Sequence, residues 1–188
     1  MVVSGLPRSG TSMMMQMLGA GGMPLLIDAY RPPNESNPEG YFEYAPVKSI
    51  LRDTAWLEGA EGRAVKIVAP LVAALPTDRR YKVILMERPL EEILRSQARM
   101  LARLHGGPDA GDTARLAAAL ASELEQCRAA LAAAAHCELL TVAYHEAIAA
   151  PRAVAARVAD FVGAAPALDL EAMAGAVSPR LQRERADG

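Results

Sequence analysis

Residues 1–12 read Met1-Val2-Val3-Ser4-Gly5-Leu6-Pro7-Arg8-Ser9-Gly10-Thr11-Ser12, and this stretch decides the fold. A very short apolar run enters a glycine-rich turn, and helix composition follows. Met13, Met14, Met17 and Leu18 are spaced to form one apolar face of that helix, and Gly19, Gly21 and Gly22 stop it. The order strand, tight turn, helix opens a βαβ unit. Gly5-x-x-x-x-Gly10 followed by Ser12 has the spacing of a phosphate-binding loop, with Thr11 where the usual Lys stands. Such a turn aims successive backbone N–H groups, and the positive end of a helix dipole, at one point. Ser9, Thr11 and Ser12 add hydroxyl donors, and Arg8 adds a fork of N–H groups. Gly10 is expected where the backbone meets the anion, since a side chain there would take up ligand space. A plain strand-to-helix turn capped by Ser or Thr uses some of the same residues. An arginine and three hydroxyls within eight residues favour the anion site.

Further along, Pro24 to Asp28 reads as a short apolar strand, and RPPNESNPEG at 31–40 as an irregular polar loop. A helix is expected over 44–57 and a strand over 64–69, ending at Pro70. Tyr81 to Glu87, YKVILME, is the clearest strand, and Pro89 ends it. Leu90 to Leu104 has a helical apolar side made by Ile93, Leu94, Met100, Leu101 and Leu104. The stretch 105–112 is a surface loop whose Asp112 can cap a long Ala-rich helix reaching about Ala135. Another strand is expected over 138–143. Pro151 suits the first turn of a helix to Val162, with Gly163 beyond it. The charged tail SPRLQRERADG is expected to fray. Strands alternating with helices predict an α/β fold, a three-layer sandwich with a central parallel sheet, in one domain over 1–188.

Composition narrows the function. Among 188 residues, 52% are apolar and 22% charged, which excludes a disordered chain. The formal net charge of −2 argues against a nucleic-acid partner held by a bulk basic surface. Of the 20 cations only Lys48, Lys66 and Lys82 are lysine and the other 17 are arginine, which leaves a local anion site possible. No apolar run is long enough to span a membrane, and no leader pattern opens the chain, so a cytoplasmic location is expected. Cys127 and Cys137 have no metal spacing and read as inert thiols. His105, His136 and His145 make no ligand pair at helical spacing, so no metal is expected.

A second phosphate site is legible at the end of YKVILME. Ligands of open parallel sheets bind beyond the carboxyl ends of the strands. Arg88 stands at such an end. Ser96 lies eight residues on, about two helical turns into the next element. Taken alone, the pair also fits a surface charge and a solvated serine.

Together these residues resemble the sulfotransferases that use 3′-phosphoadenosine 5′-phosphosulfate (PAPS). That family carries a P-[KR]-S-G-T-[ST] loop for the 5′-phosphosulfate, matched by Pro7, Arg8, Ser9, Gly10, Thr11 and Ser12. It carries an R-x7-S element for the 3′-phosphate, matched by Arg88 and Ser96. TVAYHEAIAAPRAVAARVADFVG at 141–163 is similar to its "YEDL…P…FLG" segment, and Tyr144 falls on the Tyr that lies beside the adenine. The arginine form of the loop looks more like bacterial and Golgi-type members. The resemblance implies a fold like that of the P-loop nucleoside triphosphate hydrolases and PAPS as co-substrate, with adenosine 3′,5′-bisphosphate as product. It implies a hydroxyl or amine acceptor on a small molecule, glycan or peptide, and it leaves an oligomer open.

Sulfuryl transfer asks for in-line positioning and for positive charge on the oxygens that become more negative. Arg8 and Lys66 are the cations expected there, without a metal. Cytosolic members carry K-x-H on the strand that holds Lys66; here Val68 stands at the His position, and the family's C-terminal R-K-G element is not evident. The proton acceptor must come from elsewhere. By position, the Glu of tyrosyl-protein-type members falls on Asp28, which equally suits a turn before the Pro-rich loop. Glu39 and Glu43 are the reserves, in a loop whose Tyr41, Phe42 and Tyr44 suit an acceptor lid. Two other readings stay open. One is a small-molecule kinase, against which Thr11 counts. The other is a non-catalytic nucleotide-binding module, for which Val68 counts.

Overall fold

In YKVILME, Val83 and Leu85 point to one side of the sheet and Ile84 and Met86 to the other, and all four are buried. A strand with water on neither face must belong to a sheet covered on both sides. The computed structural model, which describes residues 1–28, 37, 40–105, 110–164 and 167–177, has this arrangement. Its strands are β1 (Val2–Gly5), β2 (Val65–Lys66), β3 (Tyr81–Glu87) and β4 (Cys137–Ala143), all parallel, in the order β2-β1-β3-β4. The helices are α1 (Thr11–Ala20), α2 (Leu90–His105), α3 (Ala110–Ala133), α4 (Tyr144–Ala149), α5 (Pro151–Val162) and α6 (Leu170–Gly175).

Two apolar clusters fill the two sides. On one, Val2, Val65, Val83 and Leu85 meet Ile93 of α2 and Leu120, Cys127 and Leu131 of α3. On the other, Val3, Ile84, Met86 and Val142 meet Met14, Met15, Met17 and Leu18 of α1, Ala147 of α4, Val154 and Val158 of α5, and Met173 of α6. Methionine and small aliphatic residues fill the buried part of this second side, with Phe42 and Phe161 packed at its margin: flexible thioethers fill gaps, and small residues let helices lie close to the sheet. Among the described residues, no helix is long and apolar enough to cross a membrane.

Register sets the site. Gly5 pairs with Met86, Val3 with Lys66, and Glu87 with Ala143, so all four strands finish along one edge. The residues that follow at once are the turn 6–10, Arg88 and Tyr144.

The structure corrects several expectations. The segment Pro24 to Asp28 is not a strand; Leu25 makes one parallel bridge with Ala64. Residues 44–57 hold two short 3-10 segments, Ala45–Ser49 and Ala55–Ala60, in place of one helix. Asp53 breaks the run by accepting the Ala55 N–H at 2.9 Å, an Asx turn. The strand expected over 64–69 is only Val65–Lys66, because Pro70 lies in the 3-10 segment Ala69–Ala74. Asp112 is not a cap: α3 already begins at Ala110. Helices α4 and α6 were not expected. The second is started by Asp169, whose Oδ1 accepts the N–H groups of Glu171 and Ala172 at 3.0 Å. Most of the loop 31–40 (including Glu39), residues 106–109 and the tail 178–188 lie outside the described residues.

Candidate functional site

The turn between β1 and α1 is built on backbone that ordinary residues avoid. Gly5, Arg8 and Gly10 have φ of 150°, 72° and 102°. A Cβ on Gly5 would lie 2.4 Å from Ser9 Oγ and 2.6 Å from the Met86 carbonyl oxygen. Arg8 holds a left-handed conformation that is costly for a residue with a Cβ, and such strain collects at functional sites. The Ser9 N–H closes the turn on the Leu6 carbonyl at 3.1 Å. Gly10 stands at the N-cap of α1 with no side-chain cap, so the first N–H groups of the helix open into the turn. Ser9 is 1% exposed, and its Oγ has no hydrogen-bond partner among the described residues. A buried hydroxyl without a partner is costly in a finished fold, and an incoming acceptor would remove that cost.

The space in front of Gly10 differs from expectation. A Cβ there would meet Tyr144 Cδ2 at 2.6 Å. The glycine is therefore required by the packed Tyr144 ring as well as by its φ. The ring is itself buried, with the Arg88 guanidinium carbon 4.3 Å from its centroid. Burial pushes the Tyr144 phenol pKa up, and the Arg88 charge opposes that rise.

Arg88 and Ser96 converge on the turn, although they are far from it in sequence. Arg8 Nε donates to Ser96 Oγ at 2.9 Å, and Arg88 Nη1 donates to the Arg8 carbonyl at 3.3 Å. Pro89 makes this possible. It ends β3 and starts α2, whose Glu92 and Ile93 N–H groups bond the Pro89 carbonyl at 3.0 and 3.2 Å. One turn into α2, Glu92 is 0% exposed. Its Oε2 accepts Arg88 Nε at 2.7 Å, and its Oε1 lies 2.8 Å from His145 Nε2. Burial alone would raise the Glu92 carboxyl pKa, but the hydrogen bonds and charges of Arg88 and His145 outweigh it, and the pKa falls below its ordinary value.

A second group of side chains gathers around the Tyr41 carbonyl. Lys66, buried at the end of β2, donates its Nζ to that oxygen, and Ser12 Oγ donates to it at 3.2 Å. Asn37 Nδ2 donates to Ser12 Oγ at 3.2 Å. Glu43 Oε1 lies 3.6 Å from Lys66 Nζ. Asp28 is exposed; its Oδ2 accepts the Ala45 N–H at 2.7 Å and its own N–H donates to the Glu43 carbonyl at 3.0 Å. Asp28 thus braces the segment that carries Glu43. Val68 is exposed at the edge.

The structure therefore brings together Arg8, Ser9, Gly10, Arg88, Ser96 and Tyr144 on one side of the turn. Ser12 and Lys66 meet at the Tyr41 carbonyl on the other. Pro7 is exposed, and Thr11 is buried at the first position of α1. Sequence reasoning missed Glu92, His145 and Asn37. Glu92 had a signal, since an acid four residues after an arginine makes a helical ion pair. His145 had none, because its partner is 53 residues away. Among the described residues, no group of three or more His, Cys, Asp or Glu could hold a metal ion. Burial raises the pKa of the free thiols of Cys127 and Cys137, which disfavours the reactive thiolate. No protein-family model matches the chain, and no curated protein matches it.

Proposed function

We propose that this chain is a sulfotransferase of the P-loop type that moves a sulfuryl group from PAPS to a hydroxyl or amine acceptor. One observation carries the reading. The Gly5–Ser12 turn and the Arg88/Ser96 pair, which resemble the two phosphate elements of that family, are joined by the Arg8–Ser96 and Arg88–Arg8 hydrogen bonds. A ligand with two separate phosphate groups on one nucleoside suits two anion sites side by side. The unpartnered Ser9 hydroxyl and the uncapped start of α1 support the 5′ assignment.

In this reading Arg8, Ser9 and the N–H groups of Gly10, Thr11 and Ser12 hold the 5′-phosphate end. Arg88 and Ser96 hold the 3′-phosphate, and Tyr144 forms the wall between the two sites. PAPS supplies a sulfuryl group joined to a good leaving phosphate. Arg8 and Lys66 offset negative charge on the bridging oxygen as the S–O bond breaks. A carboxylate takes the proton from the acceptor as its oxygen or nitrogen bonds to sulfur. We assign that role to Glu43, next to the buried Lys66, in preference to Asp28, whose Oδ2 is engaged by Ala45. The side chains supply the positive charge, and the reading needs no metal.

Val68 at the usual His position is the observation that favours a non-catalytic nucleotide-binding module. A turnover assay decides between the two. Purified protein, PAPS and a panel of hydroxyl and amine acceptors should release adenosine 3′,5′-bisphosphate above the rate without protein. Tight binding of that product with no release for any acceptor would favour the module.

A further inference from the structure

The Tyr41 carbonyl faces the donors of the site. It accepts hydrogen bonds from the buried Lys66 Nζ and, at 3.2 Å, from Ser12 Oγ. Under the proposed function these are donors that the transferring end of PAPS would use. A carbonyl presents the negative end of the peptide dipole, so in this position it opposes an incoming anion. The residue that follows is strained. Phe42 has φ of 51°, and among the described residues other than glycine only Arg8, in the turn after β1, shares a positive φ. Strain of this kind persists where surrounding contacts hold it, and it collects at functional sites.

We propose that the Tyr41–Phe42 peptide turns over when the sulfuryl group of PAPS arrives, so that the Phe42 N–H replaces the Tyr41 carbonyl and donates to a sulfuryl oxygen. The proposal rests on the reading of Lys66 and Ser12 as ligands of the transferring end of PAPS. In a trans peptide the N–H points opposite to the C=O, so half a turn of the plane exchanges an acceptor for a donor. The rotation changes ψ of Tyr41 and φ of Phe42. It carries φ of Phe42 from 51° to about −130°, in the broad extended region open to any residue. Lys66 and Ser12 keep an acceptor, because a sulfuryl oxygen takes the place of the carbonyl. No covalent bond forms or breaks.

The flanks favour a rotation confined to that one peptide. On one side the Gly40 N–H donates to the Asn37 carbonyl at 3.1 Å, and the Tyr41 side chain is buried. On the other, the Asp28 N–H donates to the Glu43 carbonyl at 3.0 Å, and the Ala45 N–H donates to Asp28 Oδ2 at 2.7 Å. Glu43 and Tyr44 therefore stay in place while the peptide before them turns. Gly40, with φ of 100°, absorbs the small adjustment that remains. Adenosine 3′,5′-bisphosphate has no sulfuryl group to displace the carbonyl, so it leaves the peptide as it is. The peptide thus distinguishes the co-substrate from its product.

The chain has two phenylalanines, Phe42 and Phe161. Labelling phenylalanine nitrogen in the full chain therefore gives two amide signals by NMR, with Phe161 of α5 as the reference. Saturating PAPS should move the Phe42 amide proton downfield and slow its exchange with solvent about tenfold or more, the scale of a hydrogen bond to an anion. Saturating adenosine 3′,5′-bisphosphate should do neither. Phe42→Gly and Phe42→Ala both remove the ring, but only glycine accepts a positive φ at little cost. The glycine variant should hold the carbonyl in the site. Relative to the bisphosphate, it should bind PAPS about fivefold more weakly than the alanine variant does. The same Phe42 response to both bound ligands, or equal affinity ratios in the two variants, would overturn the inference and leave the two-phosphate reading standing. Failure of both ligands to bind would overturn that reading and this inference with it.

Discussion

Arg8 Nε and Ser96 Oγ, 88 residues apart in sequence, share a hydrogen bond of 2.9 Å. The Gly5–Ser12 turn and the start of α2 therefore brace each other, and damage to one is felt in both. Ser96→Ala should weaken binding of adenosine 3′,5′-bisphosphate about tenfold, since it removes a ligand donor and the partner of Arg8. AMP should weaken by about threefold, through Arg8 alone. Isothermal titration of the two ligands checks both figures, and an AMP affinity untouched by Ser96→Ala would contradict the bracing.

Gly10→Ala tests the packing of the turn. The substituted residue keeps a φ near 102°, and its Cβ would lie 2.6 Å from a Tyr144 ring carbon. Strain and overpacking together should cost about 2–4 kcal/mol in urea unfolding. Combined with Tyr144→Ala, the loss should fall short of the sum of the single losses by about 1 kcal/mol, because the clash is then absent. Strict additivity would show that Tyr144 is not what limits the space.

The proton acceptor is tested by a pair of isosteric changes. Glu43→Gln should lower turnover by roughly 10²–10⁴-fold and leave bisphosphate affinity nearly unchanged. Asp28→Asn should have a small effect, since an amide oxygen can still accept the Ala45 N–H. The opposite outcome would return the role to Asp28. Chelators should leave turnover unchanged, because Arg8 and Lys66 supply the positive charge.

Glu92 gives a pH-dependent stability. Its folded carboxyl pKa lies below the ordinary 4.5. Its contribution is thus fully present above that pH and is lost as the pH falls through the folded value. Glu92→Gln leaves Arg88 buried beside an uncharged amide and should cost about 3–5 kcal/mol at neutral pH. The gap between the two proteins should narrow as the pH falls below 4.5. A constant gap across that range would contradict an ionised buried Glu92.

Much of the fold was legible because it depends on local rules. The alternation in YKVILME and the Pro89 stop fixed β3 and α2, and Pro151 and Gly163 bounded α5. The apolar segment Pro24 to Asp28 misled, because the adjacent β2 is only two residues long and the segment's one bridge, Leu25 to Ala64, falls just before it. The tight turn of Gly5–Ser12 was legible from spacing, yet the reason for Gly10 was not: Tyr144, 134 positions further on, fills the space. His145 shows the same limit. Its role depends on a carboxylate from another helix, which no local pattern reveals.

The central claim is that this site holds two phosphates of one nucleotide. Its most direct test is isothermal titration of the full chain with adenosine 3′,5′-bisphosphate, AMP and ATP with magnesium. The bisphosphate should bind about 10–150-fold more tightly than AMP, the range set by charge-assisted hydrogen bonds from Arg88 and Ser96. Arg88→Ala should erase most of that advantage and weaken AMP by only about threefold, through the lost bond to the Arg8 carbonyl. Equal affinities for the bisphosphate and AMP, or tighter binding of ATP with magnesium, would contradict the account.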